Sequence, residues 1–325
     1  MVKLLSVKQS NAAFAADQSK SSGLTCVFAG ATSGIGASTL EVMVSTLHNS
    51  TFYILGRSAK KFEAQRQNLE ALSPSSQLKF IECNVALISD VDAACKQISA
   101  ERIDFLYMSQ GLVPLNGAEY TSEGLEICFA LSYYSRIRLL TNLLPLLRKS
   151  PKPRVLSVLN AGKEKAILKD DLGLEDETNW SSMVVVNHTT TNMSLALDFL
   201  SEDTSNKSLI VMHAFPGLVR TNIFSKLTAP ESSSIFWWFA LACIRNIVAV
   251  LMAVQGISPQ DSGARQVYHL TSDTFTPGSL HLIDESSEEV APNVVLQGYR
   301  DEGMAKKVWD FTMQVFDRVL NRASA

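Results

Sequence analysis

Leu24-Thr25-Cys26-Val27-Phe28-Ala29-Gly30-Ala31-Thr32-Ser33-Gly34-Ile35-Gly36 is an apolar run that ends in three spaced glycines. The run reads as a buried strand. The residues from Ser33 through Ala37 to Leu47 read as an amphipathic helix behind it. Gly30 ends the strand where the chain must turn tightly, in backbone angles that glycine reaches without strain. Gly34, lacking a side chain, lets the backbone approach a pyrophosphate, and Gly36 lets the helix pack closely on the sheet. The helix N-terminus offers free N–H groups and the positive end of its dipole to phosphate. Thr32 and Ser33 add hydroxyl donors. In this strand–turn–helix setting the loop reads as a dinucleotide cradle, with Gly30, Thr32, Ser33, Gly34, Ile35 and Gly36 as its contacts.

Strand-like runs and helical stretches alternate outward from the loop. Thr51–Leu55, Leu78–Ile81, Ile103–Tyr107, Pro153–Leu159, Ser208–Met212 and Leu280–Ile283 are the strands. Helices are expected near 59–71, 91–98, 125–147, 181–200 and 260–270, with a last amphipathic one over 300–322. This alternation predicts an α/β fold, a Rossmann-type doubly wound parallel sheet in three layers. The ligand then sits at the C-terminal edge of the strands. One domain is expected from residue 23 to 325, preceded by a polar, Ala/Ser-rich extension over 1–22.

The chain has 325 residues, 46% of them hydrophobic, which suffices for one large core. Its net charge of −3 and scattered Lys and Arg give no basic stripe, so no nucleic-acid partner is expected. The five cysteines are far apart and form no CxxC pair, as in a reduced compartment. No secretory leader is read in Met1–Ser22, and a cytoplasmic location is the expectation.

Together these residues resemble the short-chain dehydrogenase/reductase family from about Leu24 onward. The family's GxxxGxG matches Gly30, Gly34 and Gly36. Ser109-Gln110-Gly111 stands where the family usually shows Asn-Ala-Gly. Asn84-Val85 stands where the family places an adenine-contacting acid. His213-Ala214-Phe215-Pro216-Gly217-Leu218-Val219-Arg220-Thr221 is similar to the family's Pro-Gly motif at the nicotinamide end. The resemblance implies cofactor contacts at Asn84, Val85, Gln110, Gly111, Pro216, Gly217, Val219 and Thr221. The overall pattern looks like a fungal branch of the family often found in specialised metabolism. NAD-preferring members carry an acid after the second strand, whereas this chain has Gly56-Arg57-Ser58 with Lys60 and Lys61 behind it. A guanidinium grips a 2′-phosphate that an acid would repel, so Arg57 and Lys61 point to NADP (NADPH).

The family's catalytic tyrosine, with a lysine four residues on, is absent. None of the seven tyrosines is followed by such a lysine. The alignment puts Trp180 or Ser181 at the tyrosine position and Val184 or Val185 at the lysine position. Asn160 falls at the serine position and Ser132 at the helix asparagine position. Losing a positioned general acid forfeits ~10²–10⁴-fold in rate, yet proximity of the reactants contributes separately. Asn160 can still hydrogen-bond an oxyanion. His188 is the one group on its helix able to move a proton near neutral pH, or else a hydrogen-bonded structural histidine. Trp180 either stacks on substrate or nicotinamide or packs at the rim.

Ile235 to Ile257 is long and apolar enough to suggest a membrane span. Arg245 and Asn246 sit at its centre, where arginine alone costs ~2.5–3.5 kcal/mol on insertion scales. The readings are, in order, a helical lid within an insertion over 230–258, a subunit interface in a homo-oligomer, and a helix at a membrane surface. As a lid, Phe236, Trp237, Trp238 and Phe239 imply a bulky apolar small-molecule substrate. The function expected first is an NADP-dependent oxidoreductase acting on an apolar carbonyl or alcohol. A repurposed fold doing non-redox chemistry and a silent cofactor-binding protein are the alternatives.

Overall fold

The computed structural model describes residues 1–221 and 235–323. Two helices open the chain, α1 (Leu4–Ala16) and α2 (Gln18–Ser21). Then come β1 (Thr25–Ala29), α3 (Gly34–Thr46), β2 (Thr51–Gly56), α4 (Ala59–Leu72), β3 (Gln77–Glu82) and α5 (Ile88–Lys96). After β4 (Phe105–Met108), the short α6 (Ile127–Phe129) runs through a π-helical turn, Ala130–Tyr134, into α7 (Ser135–Leu147). The second half holds β5 (Arg154–Val158), α8 (Ser182–Glu202), β6 (Ile210–Ala214), α9 (Ile235–Gln255), α10 (Pro259–Thr271) and β7 (Leu280–Ile283). The last helices are α11 (Val294–Asp301) and α12 (Met304–Ala323).

The seven strands form one sheet in the order β3-β2-β1-β4-β5-β6-β7, every neighbouring pair parallel. The fold is therefore the doubly wound α/β sheet that the alternation predicts. Side chains along a strand alternate faces, and each central strand feeds two cores. Val27 and Ala29 of β1, with Leu106 and Met108 of β4, join the core under α5, α7, α8 and α12. Cys26 and Phe28, with Phe105 and Tyr107, join the core under α3, α4 and α10. Strand order reverses direction between β1 and β4, so the loops leaving their C-terminal ends part and open a crevice.

Three elements differ from the sequence reading. The polar extension over 1–22 is a docked helix: Val7 is fully buried, and Asn11 Nδ2 donates to the Ala264 carbonyl of α10 at 2.8 Å. Thr271 Oγ1 also donates to Asn11 Oδ1 at 3.4 Å and Lys8 Nζ pairs with Asp261 at 2.8 Å, long-range contacts that a composition reading does not detect. The expected C-terminal helix is α12, and α11, which the sequence reading did not give, precedes it; Gly303 at φ 69 separates the two. Its N–H bonds back to the Arg300 carbonyl, satisfying an end carbonyl. The segment 125–147 is interrupted by the π turn. Of the expected insertion over 230–258, residues 230–234 lie outside the described residues.

Candidate functional site

A cleft of about 850 Å³ lies at the C-terminal edge of β1, β2, β3 and β4. Gly30, Thr32, Ser33, Gly34, Ile35, Gly36, Arg57, Asn84, Val85, Gln110, Gly111 and Thr221 all line it. Twelve of the sixteen residues expected to hold a cofactor are thus brought together from five segments of chain. Lys61, Pro216, Gly217 and Val219 are outside the lining. Lys61 is exposed on the first turn of α4, with its backbone N–H tied to the Ser58 cap. Val219 instead pairs with Ile257 across a parallel bridge, and Gly217 packs beside Glu285.

The glycine loop is shaped by backbone contacts that exclude side chains. A Cβ on Gly30 would lie 2.4 Å from the Gln110 nitrogen, and one on Gly36 would lie 2.2 Å from the Gly30 carbonyl oxygen. Gly30 at φ 80 and Gly34 at φ 59 also occupy the left-handed region that favours glycine. Across the cleft, Thr221 Cγ2 would lie 3.5 Å from a Cβ on Gly34, so the Pro-Gly segment closes over the loop. Gly56 has no room for a side chain, because Phe80 and Thr32 fill the space. Arg57 follows it and is exposed at the cleft's edge. Asn84 uses its side-chain oxygen locally, accepting from the Ala86 N–H at 3.3 Å, and so presents a fixed turn to the cleft.

The wall beyond the loop is held from behind. The side chain of Gln110 turns inward, where Nε2 donates to Ser135 Oγ at 3.2 Å, leaving its backbone on the cleft side. Arg136, buried on the first turn of α7, reaches the same wall. Its Nη1 donates to Ser157 Oγ and the Val158 carbonyl, both at 2.8 Å, and its Nη2 donates to the Gln110 carbonyl at 2.5 Å. Burial pushes its pKa down to about 10, which still leaves it charged at neutral pH. One guanidinium thus joins the ends of β4 and β5 to α7. Nothing in the sequence reading singled it out. Its signal is spacing: it lies four residues after Ser132 and three after Tyr133, on the inward stripe of the helix.

None of the four candidate catalytic residues is in the described lining, and Ser132 alone abuts this wall. Ser132 sits in the π turn, buried, with Oγ 3.5 Å from where a Gly111 Cβ would stand. π turns of this kind often mark functional sites. Asn160 is half-buried after β5 and donates from Nδ2 to Thr190 Oγ1 at 3.3 Å. The loop that carries Asn160 is fixed by a buried relay. Glu164 accepts from Ser194 Oγ at 2.7 Å and from the Gly162 N–H, and His213 Nδ1 meets Ser194 Oγ at 2.8 Å. Trp180 is half-buried against the core, its indole beside the Glu126 carboxylate, whose proton affinity burial raises.

His188 is fully engaged. Nε2 accepts from the Leu168 N–H at 2.9 Å and Nδ1 faces the Leu172 carbonyl at 3.4 Å, which sets the Nδ1–H tautomer. Burial lowers its pKa, holding it neutral. Of the two readings of His188, this geometry is that of the structural histidine. No tyrosine lines the cleft among the described residues. Past Gly111 the lining becomes apolar with Leu112, Val113, Ile127 and Leu131, residues that the sequence reading did not select. No residue of α9 is in the described lining, and the aromatic side chains of Phe236, Trp238 and Phe239 are exposed.

The family model described as short chain dehydrogenase matches residues 25–166. An oxidoreductase of Emericella nidulans, AN1596, is 33% identical over 99% of this chain and 100% of its own length. A short-chain dehydrogenase/reductase of Stachybotrys chartarum, SAT2, is 26% identical, covering 94% of this chain and 96% of its own. Among solved structures, a short-chain dehydrogenase from Sphingobium yanoikuyae in complex with NADPH superposes with a TM-score of 0.55. It is 15% identical and covers 87% of this chain and 94% of its own, so the likeness is one of fold.

Proposed function

We propose, for a chain that belongs to the short-chain dehydrogenase/reductase family, an NADP-dependent oxidoreductase acting on a bulky apolar carbonyl or alcohol. The observation that carries this reading is the single cleft in which the glycine loop, Arg57, Asn84-Val85, Gln110-Gly111 and Thr221 meet. The fit to a dinucleotide rests on the loop itself. Its backbone is bare where a Cβ would collide, and α3 turns its N-terminus toward the cleft. Arg57, exposed beyond Gly56 with Thr32 beside that glycine, supports a 2′-phosphate. The NADPH bound by the Sphingobium protein is in keeping with this preference. The apolar end formed by Leu112, Val113, Ile127 and Leu131 supports an apolar substrate. The relatives are fungal oxidoreductases, which supports a place in specialised metabolism.

When bound, the nicotinamide would supply or accept the hydride. The chain's part is to hold and orient. Gly111 forms the floor, backed by Ser132 and Arg136, while Asn160 stays outside the lining with its Nδ2 donating to Thr190 Oγ1. His188 supplies no proton in this reading, because both of its nitrogens are engaged. The proton of the substrate oxygen is exchanged with water, the non-standard delivery that the missing tyrosine requires.

Arg57→Asp tests the cofactor reading. A charged hydrogen bond to phosphate contributes about 1.5–3 kcal/mol, so NADPH affinity should fall about 10- to 150-fold while NADH affinity hardly changes. Equal losses for both dinucleotides would overturn the phosphate grip. Activity is read as NADPH oxidation with apolar ketones and aldehydes. Turnover without cofactor oxidation would point to isomerase-like chemistry, a reading that the lack of a tyrosine among the described lining residues also favours.

A further inference from the structure

We infer that α9 seats the protein on a lipid bilayer, lying in the plane of the membrane surface rather than crossing it. The helix has 21 residues, about 31 Å at the α-helical rise, with no acid and one charge, Arg245. A core helix of that composition would be buried, yet only 11% of the most apolar window of α9 is covered. Phe236, Phe239, Ile247, Val250 and Val254 repeat at helical spacing along one stripe, each 60–83% exposed.

The other side of the helix differs. Leu241 and Met252 are buried, and Arg245 is half-buried. Arg245 lies nine residues from both Phe236 and Val254, two and a half turns away and therefore opposite the stripe. A crossing helix would put this arginine in the hydrocarbon. An in-plane helix keeps it on the protein side and gives lipid the stripe alone.

Chain connectivity gives the same answer independently. The described chain on the two sides of this segment, Leu218–Thr221 before it and Ile257 after it, is paired at one place on the body. There the Ile257 N–H donates to the Leu218 carbonyl at 2.9 Å and the Arg220 N–H to the Ile257 carbonyl at 3.0 Å. A crossing by α9 would need a second crossing to return. Residues 222–234 are thirteen, short of the roughly 20 that a helical span requires. Irregular backbone facing lipid is excluded by its unpaired polar groups.

Lipid is the occupant that the chemistry favours over a second copy. A subunit interface surrounds its apolar centre with a polar rim and direct hydrogen bonds, whereas the stripe of Phe236, Phe239, Cys243, Ile247, Val250 and Val254 runs the length of α9 with no charged group, its one cation on the opposite side. The anchored end of α9 lies beside Arg220, Thr221, Pro259 and Gln260, which line the cleft, so seating brings the cleft mouth near the membrane. An apolar compound dissolved in lipid would then have a short path to Leu112 and Leu131. That consequence rests on the proposed activity, while membrane seating itself does not.

The test is flotation of the full chain with phosphatidylcholine vesicles, comparing wild type with Ile247→Glu/Val250→Glu. Both positions are exposed, so the variant should melt at the wild-type temperature and bind NADPH equally. Wild type is expected to float. The double variant should bind about a hundredfold more weakly, roughly tenfold for each lost apolar side chain. Quenching of tryptophan emission by lipids brominated on the acyl chain should accompany wild-type binding. Wild type that stays with the soluble fraction, or a variant that floats equally well, would overturn the proposal. So would a wild-type dimer in solution that the double variant converts to a monomer without any flotation, since α9 would then be a subunit interface. Loss of NADPH affinity in Arg57→Asp with flotation intact would separate this proposal from the cofactor reading.

Discussion

Replacing Arg136 by methionine should destabilise the protein by about 3–5 kcal/mol, because two buried carbonyls and a hydroxyl lose the donor that satisfies them. The structure shows where the loss falls. The guanidinium gives three hydrogen bonds, to Ser157 Oγ and to the carbonyls of Val158 and Gln110, and it is fully buried. Two buried carbonyls lose a partner, at roughly 1–3 kcal/mol each. Burying the charge had its own cost, visible in the pKa pushed down to about 10, and methionine relieves it. The net therefore stays near the middle of the range. For 325 residues the unfolding entropy is about 0.7 kcal/mol per degree, so 4 kcal/mol lowers Tm by about 6 °C. The assay is thermal melting beside NADPH titration. Arg136→Lys keeps the charge but reaches fewer acceptors, and should lose about half as much. A methionine variant that melts within about a degree of wild type would show that these carbonyls do not depend on the guanidinium. A destabilised variant with unchanged NADPH affinity would show that Arg136 holds the core but does not set the wall.

Two histidines give a pH prediction. His213 and His269 are buried and their pKa values are pushed down to about 3 by desolvation, with a cationic arginine nearby adding to each. The folded protein keeps them neutral, whereas the unfolded chain takes up a proton below about 6.5. Their stabilisation is therefore complete above that pH and is lost as pH falls from 6.5 towards 3. Between pH 7 and 5 each should account for about 2 kcal/mol of lost stability, read from urea melts at the two pH values. His269→Phe, set among Tyr268 and Phe275, should flatten the profile by about that amount, and an unchanged slope would refute the assignment. Gly36→Ala puts a methyl group against the Gly30 carbonyl; the overpacking of about 1–3 kcal/mol should weaken NADPH binding about 5- to 150-fold, measured by fluorescence titration. Unaltered affinity would mean that the loop is not the phosphate site.

The family resemblance found at Gly30, Gly34, Gly36 and Pro216-Gly217 agrees with the relatives that match along the whole chain. The fold was legible for a similar local reason. Period-two burial in Val27/Ala29 against Cys26/Phe28, followed by a helical repeat, encodes a strand covered on both faces and then a helix, and parallel strands follow from that order. The glycine positions were legible because each answers a backbone constraint, and backbone constraints act over a few residues. Arg57 and Asn84 were legible because they stand at fixed distances from strand ends.

What tertiary structure decided depends on contacts between distant segments. Arg136 looked like one more helix charge until the ends of β4 and β5 brought the Gln110 and Val158 carbonyls to it. His188 had two readings until the loop after β5 placed Leu168 and Leu172 against its two nitrogens. Thr221 closes on Gly34 although 187 residues separate them. The apolar stretch 235–257 shows the division most plainly. Its composition is sequence, but whether the apolar stripe faces the cleft or the outside is settled only by which side of α9 carries Leu241, Arg245 and Met252. Local patterns fix which elements form, because they are set by backbone propensity and alternation. The chemistry of a site is set by which side chains meet, and that is known only once the chain has folded.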